Sequence, residues 1–375
     1  MKFLKKLSKE KIFGKTCLLR VDLNISEKKA KNSPRILGIL PTIKFLIDNG
    51  AKVIILSHRG RPKPVELDNP EFSLKPFVKI LSSLFKKTVH FTDFNNSDFI
   101  NKTDINKIHT ATNGSIFLLE NLRFLSGEEK NDIKLAKQLA LLGDFYINDA
   151  FAVSHRKSMS VSAITKFLPS YAGLLLEKEI NNLSKLMGKP KKPLIIILGG
   201  AKISDKISLI KNFLNKVDYF LIGGGIAHNF LKAQGLPIGN SIFEEKTISF
   251  AEKMLKNKKI ILPIDYVIKD RKILDIGPNT AKYYSNIIKS AKTIIWNGPM
   301  GYFEDKRFIK GSEAIVKSIL INKSFAVIGG GETTALFTYL NKNVKIKNNI
   351  FLSTGGGAML EYLAGKKLPG IEALK

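Results

Sequence analysis

Apolar residues along the chain come in short runs, each closed by turn-forming residues, with helical patterns between them. In the first half the runs are TCLLRVDLN (16–24), AKVIILSHR (51–59), VHFT (89–92), SIFLLENLRF (115–124) and DFYINDAF (144–151). In the second half they are PLIIILGG (193–200), DYFLIGGG (218–225), KIILPIDYV (259–267), KTIIWNGPMG (292–301), FAVIGGG (325–331) and NIFLSTGGG (349–357). Runs this short, rich in β-branched residues and bounded by Gly, Asn, Asp or Pro, predict buried strands. Residues 203–217 carry Ile203, Ile207, Ile210, Leu214 and Val217 at helical spacing, and 131–143 predicts a second helix with Asn131 or Asp132 as cap and Gly143 as stop. Strands alternating with helices predict parallel sheets covered on both faces. Eleven strands exceed one such sheet, so the expected fold class is α/β with two doubly wound, Rossmann-like domains. The expected division is 1–172 with 358–375, an interdomain helix and linker at 173–192, and 193–357.

The polar residues of interest sit directly behind the apolar runs. Asp22 and Asn24 follow the first run, and Ser57, His58, Arg59 and Arg61 the second. Glu120, Asn121 and Arg123 follow the fourth, and Ser154, His155 and Arg156 come soon after the fifth. Ligands of doubly wound sheets bind outside the carboxyl ends of the strands, so the first half presents a cationic rim suited to a small, strongly anionic ligand. The second half presents glycines at the same places: 199–200, 223–225, 298, 329–331 and 355–357. Glycine lets backbone N–H groups approach a phosphate or nucleotide closely. GGGETT (329–334) does not complete a dinucleotide fingerprint, and FGKT (13–16) precedes a strand and lacks the earlier glycine of a phosphate-binding loop. No zinc spacing and no nucleophile elbow occurs.

Composition narrows the picture. The chain has 375 residues, 44% hydrophobic and 25% charged, as globular proteins do. Its net charge is +29, from 61 basic and 32 acidic residues. The lysines scatter without a reader motif, which favours a solvated surface over a nucleic-acid interface. Arginine is rare, and six of the eight fall within the first 156 residues. A lysine-rich chain that keeps arginine there uses the planar fork, which grips carboxylate or phosphate with two hydrogen bonds. The single Cys17 forbids an internal disulfide, and the amino-terminal residues lack the apolar core of a signal peptide. A cytoplasmic protein with no membrane partner is expected, working as a monomer.

The stretches RVDLN, SHRGRP, LLENLRF, INDAFAVSHR, LGGAKISDK, WNGPMGYFE, IGGGETT and STGGGA, in this order, resemble phosphoglycerate kinases over essentially the full chain. The resemblance implies reversible phosphoryl transfer from 1,3-bisphosphoglycerate to Mg-ADP, giving 3-phosphoglycerate and ATP in glycolysis, with closure of two domains and no general base. It implies that Asp22, Leu23, Asn24, Arg35, His58, Arg59, Gly60, Arg61, Arg123 and Arg156 bind the phosphoglycerate, with Arg20 and His155 adding field. It implies that Gly200, Lys202, Lys206, Glu304, Gly329, Gly330, Gly331, Glu332 and Thr333 bind the nucleotide, Glu304 at the ribose. Arg35 and Lys202 are the implied catalytic residues, and Glu332 the Mg²⁺ residue. The chain departs from the family pattern at Ser26 (proline), Asn279 (lysine), Met359 (serine) and Glu332 (aspartate). The longer Glu332 implies retained activity with altered metal affinity. Two other functions fit less of the sequence: a different α/β small-molecule kinase, and a basic nucleic-acid-binding protein. A scaffold role would be additional to any of these.

Overall fold

The computed structural model describes residues 1–62, 69–94, 100, 102–341 and 346–375. The chain divides into two compact units, Met1–Ile180 with Lys367–Lys375, and Asn181–Lys366. The division falls inside the helix Leu174–Met187. Residues 358–366, expected with the first unit, belong to the second; there the helix Gly357–Leu363 packs on the helix Ile207–Phe213.

The first unit is built on a six-stranded parallel sheet. Its strands are β1 (Thr16–Arg20), β2 (Lys52–Leu56), β3 (Val89–Thr92), β4 (Ile116–Leu119), β5 (Phe145–Asn148) and β6 (Ser170–Ala172), in the order β3-β4-β2-β1-β5-β6. β1 and β2 are buried at every position, which is why they read as unbroken apolar runs. A core of β1 and β2 residues with Ile36, Ile39, Ile43 and Leu46 holds the helix Pro34–Asp48 on one face. Each such buried side chain contributes about 1.5–3 kcal/mol. The sheet changes winding direction between β1 and β5, so the ends of those strands flank its crevice.

The second unit repeats the plan. β7 (Leu194–Leu198), β8 (Tyr219–Ile222), β9 (Ile260–Ile261), β12 (Thr293–Asn297), β13 (Phe325–Gly329) and β14 (Ile350–Leu352) run parallel in the order β14-β13-β12-β7-β8-β9. A hairpin of β10 (Tyr266–Lys269) and β11 (Lys272–Ile276) stands apart from this sheet. Trp296 on β12 is fully buried, and its indole N–H donates to the Gly298 carbonyl at 2.8 Å. The winding reverses between β7 and β12, which sets Gly199–Gly200 beside Asn297–Gly301.

Three elements differ from the sequence expectation. The run at 259–267 is broken into β9 and β10, because Pro263 cannot donate to a strand ladder. The edge strand β6 is too short to give a periodic signal. The helix expected over 203–217 begins as a 3-10 turn, Ser204–Lys206, and is α-helical only over Ile207–Phe213. The other expected helix spans Ile133–Ala140, capped by the Asp132 carboxylate, which accepts from Leu135 N at 2.9 Å. No helix among the described residues is long and apolar enough to cross a membrane.

Candidate functional site

At the strand ends of the first unit, short polar side chains hold the loops and leave arginines facing the crevice. Asp22 Oδ1 accepts from Asn24 N at 2.9 Å, and its other oxygen lies 3.1 Å from Arg35 Nη1. Arg35 also donates to the Asn24 carbonyl at 3.0 Å, and Asn24 Oδ1 accepts from Gly60 N at 2.9 Å. Arg35 sits in the first turn of its helix, where Ser33 caps the chain by accepting from Arg35 N. Asp22, Asn24, Arg35 and Gly60 thus form one bonded group.

Asn121 locks a second group. Its Oδ1 accepts from Arg59 N and Arg123 N, both at 3.1 Å, and its amide donates to the Arg59 carbonyl at 2.7 Å. Glu120, beside it, accepts from Leu74 N at 2.7 Å and from Ser73 Oγ at 2.6 Å. Burial pushes the Glu120 carboxyl up while these donors oppose the rise.

Arg20 is only 2% exposed. Its Nε donates to Ser160 Oγ at 2.8 Å, and Nη2 lies 3.8 Å from Glu128 and 3.2 Å from His58 Nδ1. Guanidinium only donates, so His58 Nδ1 accepts and the imidazole proton sits on Nε2. Burial, then Arg20, Arg123, Arg156 and Arg35, drive the His58 pKa well below its usual value. His58 is therefore neutral; Arg20 contacts it, and the charges of Arg123, Arg156 and Arg35 add to the field on it. Arg20, Arg123 and Arg156 line a cavity of about 370 Å³ with Glu128 and Glu129. Glu129 is 64% exposed and pairs with Arg123 Nε at 3.2 Å and Arg156 Nη1 at 3.8 Å.

Four expected members stand differently. Leu23 points into the core, its N–H is taken by Ser57 Oγ and its carbonyl by Ile25 N. The Arg59 fork is engaged with Glu27 at 2.9 Å, the Ser73 carbonyl and the Phe77 ring. Arg61 is exposed, and His155 is half-buried outside the cavity lining.

In the second unit a cavity of about 660 Å³ opens at the reversal of winding. Gly200, Gly224, Gly225 and Glu332 line one part; Pro263, Leu274, Ile276, Met300, Phe303 and Phe308 supply apolar walls, and Glu304 a second carboxylate. The glycines at β7 and β12 are sterically required. A Cβ on Gly298 would stand 2.1 Å from the Gly199 carbonyl oxygen, and Gly298 has φ +94°. β13 ends at Gly329 and the helix Gly331–Leu340 begins after Gly330, at φ +98°. The helix N-terminus carries Glu332 in its first turn. Thr333 Oγ1 accepts from Gly298 N at 2.7 Å, and Asn297 donates to the Gly329 carbonyl at 2.8 Å, so the two glycine turns are tied together.

Lys206 is buried, and burial pulls its pKa down against the opposing fields of Asp205 and Glu332. Lys202 is exposed, and its charge helps hold the Glu244 carboxyl low. Neither lysine, nor Gly329 to Gly331, nor Thr333 lines the cavity itself. Met359 is fully buried and packs against Gly329.

Two residues of this unit escape sequence reasoning. Asp275 is buried in the cavity wall, accepts from Gly311 N at 2.8 Å and Ile276 N at 2.9 Å, and is pushed up to about 6 by burial. His228 also lines the cavity. An acid inside ILDIG and a histidine, beside Asn229, inside GGIAHNFL each interrupt an apolar pattern, and that is the only signal they give.

The chain matches the family described as Phosphoglycerate kinase over residues 7–366. Phosphoglycerate kinases of Clostridium botulinum and Clostridium kluyveri are 41% and 42% identical to it, covering 96% of this chain and 96% of theirs. The structure of phosphoglycerate kinase from Coxiella burnetii superposes with a TM-score of 0.81 at 35% identity, covering 99% of this chain and 98% of that one. The crystal structure of phosphoglycerate kinase from Pyrococcus horikoshii OT3 gives 0.84 at 31% identity, covering 100% and 98%. With two doubly wound sheets, an arginine rim on one and a glycine-walled cavity on the other, the chain belongs to the phosphoglycerate kinase family.

Proposed function

We propose that the rim of the first unit binds 3-phosphoglycerate or 1,3-bisphosphoglycerate and that the cavity of the second binds Mg-ATP or Mg-ADP, as substrates of the family's glycolytic phosphoryl transfer. Arg20, Arg123 and Arg156 lining one cavity, with Arg20 against His58 and Arg35 held at Asp22, carry this reading, because such a field suits a small polyanion. Arg35 is placed to grip the acceptor through the fork that Asp22 and Asn24 orient. His58 offers its Nε2–H as an uncharged donor. Arg123 and Arg156 are exchanged from Glu129 to the ligand.

The chemistry asks little of proton transfer. In the direction of ATP consumption the nucleophile is a carboxylate, ionised at neutral pH, so no base is required. Catalysis then consists of alignment and of neutralising charge spread over phosphoryl oxygens. Lys202, exposed beside the glycine turn at 199–200, is assigned to the moving phosphoryl group. Lys206 and the backbone of 329–331 are assigned to the nucleotide phosphates, and Glu304 to the ribose. The two ligands belong to different units, so transfer requires a closure that aligns them and keeps water from the acyl phosphate.

Glu332 is assigned to Mg²⁺. No group of three His, Cys, Asp or Glu side chains is gathered as a cage among the described residues. Mg²⁺ commonly takes one or two carboxylates together with water and substrate phosphates, so a single acid at a phosphate-binding turn fits it. When bound, the ion neutralises phosphate charge. We also assign a cytoplasmic location, which the buried free thiol of Cys17 supports, and a monomer without a nucleic-acid partner.

A coupled assay with ATP and 3-phosphoglycerate tests the assignment. Arg35→Ala should lower kcat/KM by about 10²- to 10³-fold, and unchanged turnover would overturn its role. Glu332→Asp should shift the Mg²⁺ concentration giving half-maximal rate while kcat stays within a few-fold. Coincident Mg²⁺ curves would remove Glu332 from the metal site.

A further inference from the structure

His228 is a buried titratable side chain in the wall of the larger cavity. It lies one turn into the helix Gly224–Ala233, lines the larger cavity and is only 4% exposed. Its Nδ1 is 2.8 Å from the Ile242 carbonyl oxygen. A carbonyl only accepts, so Nδ1 carries the hydrogen. Burial lowers the pKa of the ring, against the smaller effect of that bond, and keeps it neutral. A neutral imidazole with its hydrogen on Nδ1 has a bare lone pair on Nε2. Nε2 has no protein partner among the described residues. It is not one of the fully buried, unsatisfied atoms either, so what it faces is the cavity. The neighbouring hydroxyl, Ser241 Oγ, is already bonded to Ile273 N at 2.8 Å. His228 thus offers the cavity one fixed acceptor.

We propose that His228 Nε2 selects a nucleotide whose base presents an exocyclic amine, adenine, over a 6-oxopurine such as hypoxanthine. This rests on the reading that the cavity holds the nucleotide with its base away from the glycine turns. Adenine's amine donates to Nε2. A 6-oxo group sets a second lone pair against it, and the fixed Nδ1–H prevents the ring from changing tautomer to suit. An acceptor that cannot be satisfied in a desolvated site discriminates more strongly than a lost apolar contact.

Calorimetric binding of ADP and IDP, and kcat/KM with ATP and ITP, test this on the intact chain. His228→Asn keeps a donor for the Ile242 carbonyl and removes Nε2, whereas His228→Phe keeps the ring volume and removes both nitrogens. The native protein should prefer the adenine nucleotide by about tenfold, and both variants should bring the ratio close to one. A native ratio near one, or an Asn variant that keeps the native ratio, overturns the inference. Calorimetry separates the two levels of argument. Equal ADP and IDP affinities with intact phosphoglycerate turnover would sink the base readout alone, and absent turnover with preferred ADP binding would sink the phosphoglycerate assignment alone.

Discussion

The first unit presents guanidinium side chains at its crevice and the second presents glycine backbone, although both use the same doubly wound sheet. At the β1/β5 crevice the working groups are guanidiniums, each held by a carboxylate, an amide or a carbonyl. At the β7/β12 crevice they are turns from which side chains have been removed, because two backbones pass within contact distance. Charge recognition tolerates small movements and answers to counter-charges. Backbone recognition answers to shape and tolerates no added atom.

The largest expected effect attacks the backbone side. Gly298→Ala should cost about 2–6 kcal/mol, since it forces both an unfavourable φ and a backbone clash. Urea denaturation and ADP calorimetry should show the loss of stability and of nucleotide binding together. A stable Gly298→Ala protein with native ADP affinity would mean that this turn is not under steric control.

A second comparison concerns buried acids, one in each unit. Asp149 is fully buried, accepts from Leu176 N at 3.0 Å near the start of the helix Leu174–Met187, and is pushed up to about 7 by burial. Asp275 reaches about 6 for the same reason. Both folded pKa values lie above the ordinary 3.8, so the folded state holds these protons more tightly than the unfolded state. Their contribution to stability is complete below about pH 4 and is lost as pH rises, through about 6 for Asp275 and about 7 for Asp149. The loss for Asp149 is up to about 4 kcal/mol. His58 and His228, with lowered values, act in the opposite sense below about pH 6.5. The difference between wild type and Asp149→Asn is therefore the readout. Asp149→Asn should gain relative stability as pH rises from 5 to about 7 and level off above it, because Asp275 and the histidines cancel in the difference. Parallel stability curves would show that water reaches the site.

The smallest effect probes the charge side. Glu129 is exposed and occupies Arg123 and Arg156, so Glu129→Gln should lower KM for 3-phosphoglycerate by up to about fivefold, the value of an exposed ion pair. A raised KM would show that Glu129 orients those arginines more than it competes for them.

The sequence was most legible where one physical demand acted alone. Strands buried on both faces must be apolar, so β1, β2, β7 and β12 stood out. Arginine was visible because the chain otherwise uses lysine. Legibility failed where two demands shared a residue. Arg59 looks like a ligand group, yet its fork is spent on Glu27 and Phe77, while Leu23 sits in a binding motif with its side chain in the core. The β10–β11 hairpin gave no turn signal, because Asp270 and Arg271 adopt φ of 50° and 59° without glycine. Asp275 and His228 were hidden because a buried polar residue is identified by its partners, and those partners are distant in sequence.

The segment Lys367–Lys375 belongs to the first unit, where Gly370 N donates to the Ser154 carbonyl at 2.8 Å and the Asn148 amide donates to the Gly370 carbonyl at 3.3 Å. Those residues leave the ribosome only after all of Asn181–Lys366. The first unit to be synthesised therefore waits for the last to be made before the loop beyond β5, with its Arg156, can be fastened. During translation the unit with the arginine rim is an unfinished domain, and the unit with the glycine-walled cavity is the first to have its whole sequence available.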